Sequence, residues 1–126
     1  MCKEYDVTGL NKLTKDFSQF QIDAGFDNPD VSQRLMLAHS EISEAFEAYR
    51  KDHWTTKPNF ELCSTDQEFK EVFEKEVKDT VEDELADTIV RLLAFCGENG
   101  IDIEYHIKNK MKYNHLRGYK FGGKKF

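Results

Sequence analysis

The chain has 126 residues, a third of them charged and two of them proline, with a net charge of −6. A chain of this length supports one domain with its own core, and its charge argues against general nucleic-acid binding. Three cysteines, Cys2, Cys63 and Cys96, lie too far apart for a C-x-x-C motif. Neither a disulfide framework nor a structural zinc site is therefore expected, and a reducing compartment is the default. No apolar run is long enough to span a bilayer and the N-terminus lacks an apolar signal region, so a cytoplasmic protein without membrane contact is expected. After Glu104 there is no acidic residue, which leaves a basic C-terminal end.

Four helical segments follow from apolar periodicity and end signals. The first runs from about Thr8 to Ile22, with Leu10, Leu13, Phe17 and Phe20 at helical spacing and Gly25 as a stop. The second opens at Asp30, an N-cap with Gln33 in capping-box position, and continues to about Arg50. Residues 52–64, with Trp54, Pro58 and Phe60, form a loop longer than a helix–helix connection needs. The third segment starts near Thr65, where Glu68 repeats the capping box, and ends at Gly97–Gly100, with a break predicted around Lys78–Val81. The fourth opens at Asp102 and runs to about Leu116, ahead of Gly118. No strand-period alternation competes with these, so the expected fold is all-α: a four-helix, bundle-like core in a single domain, with residues 118–126 as a flexible basic tail.

Two carboxylate pairs stand out, Glu41 with Glu44 and Glu84 with Asp87, each spaced i, i+3 on one helical face. Projection at about 100° per residue puts Leu37, Ala38, Ile42, Ala45, Ala48 and Tyr49 in one apolar arc. Glu41 falls inside that arc, Glu44 at its edge, and Glu47 points to solvent. On the next segment Glu84, Asp87 and Arg91 form a narrow polar strip on a helix that is apolar nearly all round, so the strip should face a lined cavity or a partner subunit. Carboxylates in an apolar stripe need a cation, and a hard divalent ion between two such helices would supply one. Ordinary ion pairs with Arg34, Arg50 or Arg91 satisfy the same requirement, so both readings stay open at this point. His39, beside the first pair, reads as a neighbour of the acids rather than a ligand, and Phe17, Phe20 and Trp54 read as core before base-stacking residues.

The stretch Leu35–Arg50, containing Glu41-Ile42-Ser43-Glu44, followed by Glu84-Leu85-Ala86-Asp87, carries an E-x-x-E then E-x-x-D pattern. With Lys110 to Arg117 and Gly122-Gly123-Lys124 in the same order, the chain resembles the MazG-like all-α nucleoside triphosphate pyrophosphohydrolases from about Phe17 onward. It departs from that pattern in three places: a longer gap between the acid pairs, Gly118 after Arg117 with Phe121 before Gly122, and Ala94 where relatives often carry a further acid. The resemblance implies hydrolysis of a (deoxy)nucleoside triphosphate to the monophosphate and pyrophosphate, with Mg²⁺ or Mn²⁺ held by Glu41, Glu44, Glu84 and Asp87. It also implies phosphate binding by Lys110, Asn114, Arg117 and Lys124. The all-round apolar third segment further predicts a homodimer or homotetramer with the site near the interface. Two other readings compete: a non-enzymatic helical interaction module, and a ferritin-like di-metal carboxylate bundle, which lacks its histidine three residues after Glu41 or Glu84.

Overall fold

The computed structural model describes residues 3–26, 31–118 and 120–125, and these are all-helical, with no strand among them. The helices are α1 (Leu10–Asp23), α2 (Val31–Arg50), α3 (Asp66–Glu76), α4 (Val81–Glu98), α5 (Ile103–Leu116) and the single turn α6 (Lys120–Gly123), with a 3-10 turn at Phe60–Leu62. None of the described helices is long and apolar enough to cross a membrane. The chain divides into two compact units, one formed by Met1–Asp27 with Leu93–Phe126, the other by Asn28–Leu92.

In the first unit α1 and α5 are joined at their N-termini. The Asn11 backbone N–H donates to Glu104 Oε2 at 2.9 Å, and the Glu104 N–H donates back to Asn11 Oδ1 at 3.2 Å. Asn11 Nδ2 also donates to Asp102 Oδ1 at 2.8 Å, and the same oxygen accepts from Tyr105 N, so Asp102 caps α5 as its position before the helix predicts. Close contact along α1 depends on small residues: Thr14 and Ser18 are buried, and Gly97 lies against them.

In the second unit the expected break in the third segment separates α3 from α4. Thr65 Oγ1 accepts from Glu68 N at 3.1 Å, while Glu68 Oε2 accepts from Ser64 N at 2.9 Å, one residue earlier than a standard capping box. Val77 and Lys78 N–H groups both donate to Phe73 O, closing α3. Thr80, fully buried, then starts α4: its Oγ1 donates to Val77 O at 2.6 Å and accepts from Asp83 N at 3.2 Å. The loop after α2 is stitched to this turn through Val81 N to His53 O, Thr55 Oγ1 to Glu76 O, and Thr56 Oγ1 to Glu76 Oε2. Phe60 packs on Phe69 with ring centroids 4.6 Å apart, which anchors the middle of the loop. The Asp30 cap expected for α2 lies outside the described residues.

The seam between α2 and α4 differs from the projected arc. Ala38, Glu41, Ala45 and Ala48 are buried, whereas Leu37, Ile42 and Tyr49 are exposed. The small-residue face of α2, rather than the bulky one, is thus the buried one. On α4 the buried positions of this unit are Val81, Glu84 and Thr88, while Leu85, Ile89 and Leu92 remain exposed. The expectation that α4 is enclosed all round therefore does not describe a single chain.

Candidate functional site

Helices α2 and α4 run antiparallel in the second unit, since Glu41 meets Arg91 while the residues just after α2 meet the start of α4. This places the two acid pairs opposite one another. Oxygens of Glu41, Glu84 and Asp87 lie within 4.8 Å of each other. Glu41 is only 8 % exposed and Glu84 only 5 %, while Asp87 reaches the surface. Each position follows from its register: Glu41 shares the face of Ala38, Ala45 and Ala48, and Glu84 that of Val81 and Thr88.

Arg91 meets one of these carboxylates. Arg91 Nε donates to Glu41 Oε1 at 3.0 Å. Arg50 is taken by Glu47 at 3.1 Å, away from the cluster. Glu84 Oε2 is enclosed and receives no hydrogen bond from any donor among the described residues. A buried oxygen without a donor is costly unless something else neutralises it. The protonation states reflect that cost. Burial, then proton sharing with Glu41 and the negative charge of Glu44, push Glu84 up to about 8. Burial also pushes on Glu41, but hydrogen bonds from the Glu84 and Glu44 carboxyls, together with Arg91, hold it below its ordinary value. Glu44 is raised by its hydrogen bond to Glu41 and by that neighbour's charge. Asp87 is raised by partial burial and by the charges of Asp83 and Glu41. Three carboxylates, one of them bonded to Arg91, with a buried oxygen on Glu84 form a set that fits a small, hard divalent cation.

Glu44 is not part of the Glu41–Glu84–Asp87 oxygen group but bonds to Glu41 and Glu84 at its edge. It is exposed and lines a pocket of about 350 Å³ with Glu84, Asp79, Glu47, Lys51 and His53. His39 is also exposed. Trp54 packs edge-on against Tyr49 at 5.9 Å and donates through Nε1 to Asp52, so its ring is part of the loop's own structure.

The expected phosphate-binding residues, Lys110, Asn114, Arg117 and Lys124, belong to the first unit. Lys110 and Arg117 both sit over the Tyr113 ring, at 5.3 and 5.5 Å from its centroid, and Asn114 Oδ1 is buried without a hydrogen-bond partner. Lys124 N donates to Lys120 O within the last helical turn.

Sequence reasoning overlooked Asp79 and Asp83, whose carboxylates group with Glu84 within the same 4.8 Å limit. The signal was present in Thr80-Val81-Glu82-Asp83, a capping-box spacing that marks a new helix start and fixes Asp83 beside Glu84. No family model matches the chain, and no curated protein and no solved structure matches it.

Proposed function

We propose that this chain is a divalent-metal-dependent nucleoside triphosphate pyrophosphohydrolase of the MazG-like kind, releasing pyrophosphate and a nucleoside monophosphate. The observation that carries the reading is the convergence of Glu41, Glu84 and Asp87 from two antiparallel helices around a buried oxygen that no donor reaches. The E-x-x-E and E-x-x-D spacing supports it, since three of its four acids, Glu41, Glu84 and Asp87, bring their oxygens together.

Glu41, Glu84 and Asp87 would hold Mg²⁺, with Glu44 at the pocket edge. Such an ion lowers the pKa of a bound water and neutralises phosphate charge. The chain's own contribution is positional. Arg91 fixes Glu41, and the buried Thr88 hydroxyl ties back to Glu84 O at 2.8 Å. Glu44 faces the pocket with a raised carboxyl pKa, which suits a group that takes a proton from the attacking water. Phosphoryl transfer depends mainly on orientation and charge neutralisation, both of which a rigid acid cluster beside a pocket can serve. Lys110, Asn114, Arg117 and Lys124 are proposed as the cationic and amide contacts to the triphosphate.

A panel of nucleoside triphosphates with and without Mg²⁺, with product identification, tests this. Glu41→Gln and Asp87→Asn should each abolish pyrophosphate release while leaving the helical circular-dichroism signal unchanged. Full turnover in both variants removes the metal assignment. An exposed apolar stripe on α2 and α4 favours a second reading, a helical interaction module, which predicts no nucleotide turnover under any metal.

A further inference from the structure

We propose that the outward face of α5 binds single-stranded nucleic acid, with cations on its phosphates and tyrosine rings against its bases. The proposal is independent of the hydrolase reading and uses no acid of the α2–α4 cluster. Residues 105–126 hold seven Lys and Arg and no Asp or Glu, whereas residues 1–104 hold 11 Lys and Arg against 24 acids. The whole-chain charge of −6 therefore combines a body that repels a polyanion with one segment that attracts it. The last acids before that segment, Asp102 and Glu104, accept hydrogen bonds from Asn11 at the N-terminal end of α5.

Helix register gathers the charge within the first unit. At about 100° per residue, Tyr105, Lys108, Lys110, Lys112 and Tyr113 fall on the side of α5 away from Ile107, Met111 and Asn114. All five are exposed. Among the described residues Lys108, Lys110 and Lys112 form no ion pair. Lys110 and Arg117 instead flank the Tyr113 ring, at 5.3 and 5.5 Å from its centroid, which sets two cations beside a stacking surface. A helix C-terminus favours cations only over its last turn, and Lys108 and Lys110 lie before it. From Lys108 to Arg117 the cations cover about 14 Å of helix axis, the rise of roughly four stacked nucleotides at about 3.4 Å each.

The aromatic residues decide which polyanion fits. Tyr105 is 59 % exposed and Tyr113 54 %, and bases already stacked inside a duplex are closed to such rings, so unpaired bases suit them. A membrane-surface helix needs a continuous apolar face, and on this side of α5 Leu116 is the one large aliphatic side chain.

Fluorescence anisotropy of a labelled single-stranded oligouridylate, titrated with the full chain in EDTA, tests the proposal. The affinity of the wild type should fall about fiftyfold between about 50 and 200 mM salt, the dependence expected for roughly four phosphate contacts. Lys108→Gln with Lys112→Gln should weaken binding at least about tenfold and halve the salt dependence. Tyr105→Ala should weaken it about fivefold or more, while Tyr105→Phe, which keeps the ring, should bind like the wild type. No binding at about 50 mM salt, or binding indifferent to the lysine pair, overturns the proposal. Equal affinity for a duplex, or tighter capture by vesicles containing anionic lipid, overturns it as well. The hydrolase reading fails separately, on the absence of turnover with any nucleotide, and that loss leaves the anisotropy result unaffected.

Discussion

Glu84→Gln isolates the cost of keeping a third carboxyl inside the cluster. Its pKa moves from an ordinary 4.5 to about 8 in the folded chain. Across that window the folded protein keeps a proton that the unfolded chain has released. A group with a raised folded pKa contributes its full stability below the unfolded value and loses it as pH rises through the folded one. The slope is about 1.4 kcal/mol per pH unit, so raising the pH from about 5.5 to about 7.5 should cost the metal-free wild type roughly 3 kcal/mol. The upward shifts of Glu44 and Asp87 act with the same sign. Glu41, held below its ordinary value, loses its contribution only as pH falls below 4.5, outside the interval. Urea unfolding in EDTA at several pH values is the assay. Glu84→Gln should show a much flatter pH dependence and be the more stable protein at the alkaline end. Saturating Mg²⁺ should flatten the wild-type curve as well, because the ion takes the place of the proton. Equal slopes in the two metal-free proteins, or a wild type that gains stability over this interval, would refute the claim that burial beside Glu41 and Glu44 keeps Glu84 protonated.

Two further outcomes follow from packing. A methyl group at Gly97 would sit 2.1 Å from Thr14 O and 2.8 Å from Ser18 Cβ, so Gly97→Ala should destabilise the protein by about 2 kcal/mol or more despite better helix propensity; an unchanged urea midpoint would contradict the close contact. Leu35, Ile42, Phe46 and Tyr49 of α2 and Leu85, Ile89 and Leu92 of α4 leave an exposed apolar stripe, with Phe46 63 % and Ile89 57 % accessible, so we expect a homodimer by light scattering at micromolar concentration, dissociated by Phe46→Glu with Ile89→Lys. A monomeric wild type would count against the dimer.

The acid cluster was legible because it depends on one variable, angular position around a helix. A projection at 3.6 residues per turn puts Glu41 inward and Glu44 at the edge, and that is where both lie. The same projection misjudged Leu37, Ile42 and Tyr49, since periodicity separates apolar from polar faces but does not say which apolar face meets a neighbour. Side-chain size separates the two: the small Ala38–Ala45–Ala48 face is the buried one, and the bulkier face beside it is left exposed. Glu41 is buried because it lies on the alanine face, and its burial is therefore set by alanines rather than by the larger residues around it.

Asp79 and Asp83 were overlooked for a different reason: the Thr80-x-x-Asp83 spacing marks a new helix start without saying where that helix points. They sit where the helical pattern is interrupted, and an interruption in periodicity carries no direction for the chain that follows. The direction comes from local hydrogen bonds: Val77 O accepting from Thr80 Oγ1, Thr80 Oγ1 accepting from Asp83 N, and Asp83 Oδ2 accepting from Asp79 N. Those three bonds turn the chain at a left-handed residue and restart it as α4 with Glu84 on its inner face. The break and the cluster thus have one cause. Had α3 continued unbroken into α4, Asp79, Asp83 and Asp87 would have formed an ordinary solvated i, i+4 row with no reason to meet Glu84. The turn at Thr80 is what converts a run of acids into a candidate ligand set, and Thr80 carries no charge of its own. A functional residue of this kind is found by asking what holds the acids in place rather than by counting them.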